Sequence, residues 1–135
     1  MEEQTLKVFK ELLSTAGPSG FEMETARYWA KEAKTFARNV RSDSHGNVMA
    51  TVGTAKGRRV MLAGHMDEIG LMITSVEEKG FLNIAAIGGW DPQMLQGQRV
   101  MILGIEGRVP GVIGKKPIHK IKAKDRDNVT QIDSM

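Results

Sequence analysis

The 135-residue chain contains no cysteine. That excludes disulfides, thiolate catalysis and cysteine-held zinc, so any bound metal must be held by His, Asp or Glu. No apolar run approaches the roughly 18 residues needed to cross a bilayer. The opening Met-Glu-Glu has neither the basic n-region nor the apolar h-region of a secretion signal. A soluble, cytoplasmic protein with no membrane partner is therefore expected. Internal repeats and low-complexity tracts are also absent. The 41% apolar content is ordinary for a packed protein, and the length suits one modest domain, or one domain plus a piece of another.

The net charge of +3 is unevenly spread, because Lys115, Lys116, Lys120, Lys122, Lys124 and Arg126 share one short stretch and the remainder is close to neutral. That stretch has no aromatic residue for base stacking and no recognition helix, so a solvated loop is expected in place of a nucleic-acid surface. Gly53 to Gly57 has a lysine between glycines but no phosphate-binding Gly-Lys-Ser/Thr ending. It is read as a hairpin turn.

From Glu3 to Ala16, Leu6, Phe9, Leu12 and Leu13 recur at three- and four-residue spacing, which predicts an amphipathic helix closed by Gly17-Pro18. Ser19 with Glu22 reads as a capping box for a second helix carrying Ala26, Trp29, Ala30, Ala33, Phe36 and Ala37 on one stripe. Arg38 to Asn47 reads as a polar connection with a turn at Gly46. Val48–Val52 and Val60–Ala63 read as strands joined through Gly53–Gly57. After Gly70, four short apolar runs (71–76, 81–87, 99–103, 109–113) are separated by glycine punctuation, which suggests a small β-barrel or sandwich. The composition therefore divides the chain into an α/β part over 1–68 and a β-rich part over 69–135, with a polar excursion from Lys115 to Asp133.

Among these elements the segment Val60-Met61-Leu62-Ala63-Gly64-His65-Met66-Asp67-Glu68 stands out, because an apolar run ends on a His-x-Asp pair. On a strand end, the period of two places His65 and Asp67 on one face. A neutral imidazole is a good ligand for zinc or cobalt, and a carboxylate two residues away can orient the ring. Spacing alone leaves open a histidine packed beside an ordinary surface acid.

The wider string, Gly64-His65-Met66-Asp67-Glu68-Ile69-Gly70, resembles the Ala/Gly-His-Met-Asp-Glu-Ile-Gly segment of the M42 family of metallo-aminopeptidases. Further blocks agree. Gly17-Pro18-Ser19-Gly20-Phe21-Glu22 is similar to the family's Gly-x-Ser-Gly-x-Glu helix start, and Asp43-Ser44-His45-Gly46-Asn47 to its Asp-x-x-Gly-Asn strand entry. Ile87-Gly88-Gly89-Trp90-Asp91-Pro92, Leu95-Gln96-Gly97-Gln98-Arg99-Val100 and Gly111 to His119 resemble signatures of the β-rich domain that these enzymes insert into their catalytic domain.

The resemblance implies the N-terminal portion of a zinc-peptidase-like α/β catalytic domain over 1–68, followed by an incomplete barrel-like oligomerisation insert over 69–135. It implies two divalent ions, zinc or cobalt, in the whole enzyme, peptide substrates, and self-assembly into a homo-oligomer of dodecamer type. By the same resemblance His65 is a metal ligand and Asp67 a catalytic acid that orients the site. The family's remaining ligands and its water-activating glutamate lie downstream of the insert, so the chain by itself is expected to be inactive.

Lys122-Ala123-Lys124-Asp125-Arg126-Asp127 echoes the family's bridging-carboxylate segment but lacks the apolar strand that would deliver a buried ligand, so Asp125 and Asp127 are read as solvated. His119 and His45 are read as loop residues. Trp90 and Asp91 suit either a ligand clamp or, preferably, a turn at a subunit interface. Two alternatives in other classes are a non-catalytic oligomerisation or binding module and, less favoured, an RNA-binding barrel using the basic loop. Nothing supplies the paired carboxylates of glycoside hydrolysis.

Overall fold

A computed structural model of the chain describes residues 2–54, 56–126 and 128–132. Asp127, one of the discounted acids, lies outside the described residues. The chain divides into two compact units, Met1–Glu68 and Ile69–Met135.

In the first unit, helix α1 spans Glu3–Ser14 and helix α2 spans Met23–Ala33. Helix α2 packs on α1 and also on a hairpin made of β1 (Asn39–Ser42) and β2 (Val48–Thr51). The stripe expected on α2 supplies this middle position, and Ala33, 2% exposed, is its most buried member. The capping box does not form. Glu22 is the N-cap residue without a side-chain cap; its Oε1 accepts instead from the Gly20 N–H at 2.6 Å, and the Ser19 hydroxyl is directed elsewhere. The helix also stops at Ala33, earlier than the apolar stripe, and the chain continues in turns to Phe36.

Strand β1 falls in the segment expected to be a polar connection. It pairs antiparallel with β2, Asn39 opposite Thr51 and Ser42 opposite Val48. Its sequence, Asn-Val-Arg-Ser, has a single apolar residue, so no alternation marks it. The turn fixes it. Asp43 Oδ1 accepts from the backbone N–H of His45 and of Asn47, both at 3.0 Å, and Oδ2 accepts from Asn47 Nδ2 at 2.9 Å. Gly46, at φ +86°, supplies the left-handed residue that the turn requires. These bonds hold the Asp43 carboxyl below the ordinary aspartate range, the Asn47 side-chain amide contributing most.

The expected strand Val60–Ala63 is absent. Those residues have no strand pairing, and Val60, Met61 and Leu62 are 84%, 87% and 94% exposed. A nearly continuous apolar run is the pattern of a strand covered on both faces, and the described residues supply no such cover.

The second unit is built from two hairpins. β3 (Gly70–Val76) pairs with β4 (Leu82–Ile87), and β5 (Arg99–Gly104) pairs with β6 (Gly107–Val112), both antiparallel. A one-turn helix, α3 (Pro92–Leu95), lies between them in sequence. Asp91 caps it, Oδ1 accepting from the Gln93 N–H at 2.9 Å, and Pro92 opens it where no N–H is needed. Leu95 is 2% exposed and anchors the unit; burying such a side chain contributes about 2 to 3 kcal/mol. Ile113, 6% exposed, exchanges backbone hydrogen bonds with Gly97 and Gln98 at 3.0 Å each.

All three sheets are open and two-stranded, so the closed barrel expected from the spacing of the strands is not formed among the described residues. Closure requires each outer strand to find a partner, and these hairpins pair only internally. Their apolar content is correspondingly uncovered: Val76, Met101, Val109 and Val112 are all more than half exposed. Of the Lys115–Asp133 excursion, the described part contains two short 3-10 turns, Ile118–Lys120 and Ala123–Asp125. No described helix is long and apolar enough to cross a membrane.

Candidate functional site

The site is assembled where the loop after α1 meets the loop that carries His65. Gly17 and Pro18 follow helix α1 in the chain, and Pro18 forms a parallel bridge with Glu68. The Glu68 N–H donates to Gly17 O at 2.9 Å, and the Ser19 N–H donates to Glu68 O at 3.1 Å. The Glu68 carboxylate returns to the same loop, Oε1 accepting from the Gly17 N–H at 3.0 Å. Gly17 is buried, and a larger residue would crowd its neighbour: an added Cβ would stand 2.5 Å from Thr25 Oγ1. Glu68 is thus pinned to Gly17, 51 positions away, and to Ser19 through bonds that each use a backbone group, which no side-chain pattern announces.

That pin brings three side chains into line. The Ser19 hydroxyl donates to Asp67 Oδ2 at 2.6 Å, within the short range of bonds to a charged acceptor. Asp67 Oδ1 lies 3.0 Å from His65 Nδ1, and the Asp67 backbone carbonyl lies 3.1 Å from the same nitrogen. Both neighbours of Nδ1 are acceptors, so Nδ1 bears the proton and donates. Nε2 then carries the free lone pair of the neutral ring. The Ser19 hydroxyl chiefly, and His65 next, hold the Asp67 carboxyl below the ordinary aspartate range, against a smaller opposing effect of burial.

The juxtaposition of His65 with Asp67 expected from their spacing is present, but not through a strand, since residues 65–67 have irregular backbone. The imidazole is 86% exposed and the carboxylate 41%. A protonated Nδ1 fixed by a carboxylate, with an exposed Nε2 lone pair, leaves that nitrogen open to bind a cation. Among the described residues no three His, Asp or Glu side chains gather closely enough to hold an ion. Zinc needs three or four protein ligands, so the described residues fit a contribution to a metal site and not a whole one.

The other titratable candidates stand apart from this cluster. His45 is exposed in the β1–β2 turn, His119 is exposed in a 3-10 turn, and Asp125 is half-buried in the next one. Trp90 spends its indole N–H on Gly70 O at 2.8 Å, and Asp91 is the cap of α3, so both polar groups proposed for a clamp have partners within their own unit. Sequence reasoning missed Ser19 and Glu68 as members of the site. Ser19 was assigned to a helix cap it does not make, and only the family-like blocks at 17–22 and 64–70 hinted that the two segments belong together.

Residues 46–135 match the sequence profile of the M42 glutamyl aminopeptidase family. The chain belongs to that family. The lysyl aminopeptidase of Pyrococcus furiosus is 34% identical over 132 residues, which cover 96% of this chain and 38% of the relative. Among solved structures, the TET aminopeptidase of a marine sediment Thaumarchaeota archaeon superposes with a TM-score of 0.91 at 31% identity, covering 98% of this chain and 37% of that one. The Pyrococcus horikoshii TET1 peptidase, described as assembling into a tetrahedron or a large octahedral shell, gives a TM-score of 0.79 at 31% identity, over 95% of this chain and 38% of its own. This M42 chain therefore spans less than two-fifths of the length of these relatives.

Proposed function

We propose that this M42 chain supplies part of a two-metal aminopeptidase that removes N-terminal residues from peptides, with His65 as a metal ligand and Asp67 as the acid that orients it. The observation carrying the reading is the ordered line Ser19 hydroxyl, Asp67 carboxylate, His65 Nδ1, which leaves Nε2 exposed and available. Zinc or cobalt, once held jointly by His65 and by ligands outside these residues, would polarise the scissile carbonyl and acidify a bound water. The chain's own contribution is to present one imidazole in a single tautomer and to keep Asp67 ionised against it. Ser19 and the Glu68 pin keep both groups in place while the ring remains accessible.

Residues 1–68 are then the N-terminal piece of the catalytic domain, and residues 69–135 part of a barrel-like insert. The exposed apolar faces of β3 to β6 support the second assignment, since such faces are covered by further strands or by neighbouring subunits in a stable protein. The shell-forming habit of the P. horikoshii relative supports a homo-oligomer, of dodecamer type, for the whole protein. The test is hydrolysis of aminoacyl-nitroanilides with added zinc or cobalt. The whole enzyme is expected to turn over, His65→Ala to lose metal and activity together, and Asp67→Asn to lose mainly turnover. Full metal occupancy and full turnover in His65→Ala would overturn the ligand assignment. The 135-residue chain alone is expected to be inactive.

A second reading, a non-catalytic oligomerisation module, is favoured by one observation, that the described residues offer one credible metal ligand and much uncovered apolar surface. Absence of metal-dependent turnover in the whole protein would select it.

A further inference from the structure

We propose that Ser19 is the positioning residue of the site, acting on His65 through Asp67. The inference rests on the reading of His65 as a ligand and Asp67 as its orienting acid, and it names what orients Asp67 in turn.

A half-exposed aspartate on an irregular loop can turn about its side-chain bonds, and either oxygen could then face the imidazole. The Ser19 hydroxyl removes that freedom by engaging Oδ2 at 2.6 Å, which leaves Oδ1 to accept from His65 Nδ1 at 3.0 Å. The hydroxyl can do this because its backbone is held independently. Phe21 N–H closes a turn on Pro18 O at 2.7 Å, with Gly20 at φ +92° in the position where a type II turn needs glycine. Ser19 N–H is bonded to Glu68 O, and Gly17 is bonded to both the backbone and the carboxylate of Glu68. The serine therefore stands on a frame whose bonds use no atom of its side chain. Removing the hydroxyl should leave the frame and release the carboxylate.

The experiment reads the imidazole directly, without metal or activity. Nitrogen-15 NMR of the His65 ring is recorded on the 135-residue chain, in chelator, at a pH of about 8.5 where an ordinary imidazole is neutral. The native chain is expected to show Nδ1 as the proton-bearing nitrogen and Nε2 as the bare one. In Ser19→Ala the Asp67 carbonyl, at 3.1 Å, remains as the one fixed acceptor for Nδ1–H, so the two signals should move part of the way toward each other as the tautomers mix, while amide-exchange protection of Glu68 and of residue 19 stays unchanged. Ser19→Thr, which keeps a hydroxyl, should restore the native pattern. Unchanged ring signals in Ser19→Ala with the frame intact would overturn the proposal. So would loss of amide protection together with the signals, which would mark Ser19 as merely structural, or failure of Ser19→Thr to restore them. In the whole enzyme Ser19→Ala should lower kcat on the order of tenfold with KM little changed. Because the NMR result does not depend on turnover, an inactive whole protein would contradict the aminopeptidase reading and leave the positioning role standing.

Discussion

Two apolar runs look alike in the sequence and behave oppositely in the structure. Val60-Met61-Leu62-Ala63 and Leu82-Asn83-Ile84-Ala85-Ala86-Ile87 are both short, β-prone and bounded by turn residues. The second is strand β4, paired along its length with β3 through a turn in which Gly80, at φ +83°, lets its N–H bond Glu77 O. The first is unpaired and almost fully exposed. The difference is that only the second has a strand partner among the described residues. A strand whose partner is a few residues away finds it by a hairpin, whereas one that belongs between two distant strands has no local route to pairing. The His-x-Asp segment follows directly from the unpaired run, yet it is held, because its own partners at Gly17 and Ser19 are within reach.

The same truncation at two leucines tests this contrast most severely. Leu95→Ala, at 2% exposure, should destabilise the second unit by about 2 to 5 kcal/mol in a denaturant melt. Leu62→Ala, at 94% exposure, should fall within about 0.5 kcal/mol of the native chain. A large loss at Leu62 in the 135-residue chain would show that the run has a partner after all. Next in size is Gly88→Ala at the end of β4. It combines φ +81° with a Cβ placed 2.7 Å from Ile69 Cγ2, and should cost about 1 to 3 kcal/mol. Gly17→Ala, crowding Thr25, should cost a similar amount and should also unpin Glu68, seen as lost protection of its amide.

Smaller effects follow from titration. The Asp43 carboxyl is depressed by its bonds in the β1–β2 turn, so its contribution is fully present above the ordinary aspartate value of about 3.9 and is lost as pH falls through the lower folded value. Amide exchange at His45 and Asn47 should therefore rise selectively on acidification, and an Asp43→Asn chain should lose that pH dependence. The single tyrosine, Tyr28, is pushed up to about 12 by burial first and then by Glu11, whose Oε2 lies 3.1 Å from the hydroxyl. Its phenolate absorbance should rise with a midpoint near 12 in the folded chain and near 10 in the denaturant-unfolded one. Its stabilising effect is present below the unfolded value and lost as pH rises through the folded one.

Among the described residues, helices α1 and α2 and five of the six strands were legible, because each is marked by periodicity or glycine punctuation, whereas the one-turn helix α3 is too short to show a period. Strand β1 was not, since Asn39–Ser42 has one apolar residue and is held by backbone pairing and the Asp43 turn. Val60–Ala63 was over-read for the converse reason: the apolar pattern records a covered strand, and pattern alone does not say where the cover is. Closure into a barrel is not seen among the described residues, and the strand spacing fits two hairpins equally well. At the site, the juxtaposition of His65 and Asp67 was legible because a two-residue spacing puts them within reach of each other, whereas their proposed roles rest on the family resemblance. Ser19 and Glu68 could not be named, because their contacts lie 48 and 51 residues away in sequence, and those of Glu68 run through backbone groups.

Zinc titration of the 135-residue chain, native and His65→Ala, by calorimetry tests most directly whether His65 and Asp67 form part of a metal centre. The native chain should hold one ion, weakly, and His65→Ala should abolish that binding. Tight binding of two ions by the native chain, or binding unchanged in His65→Ala, would contradict that assignment.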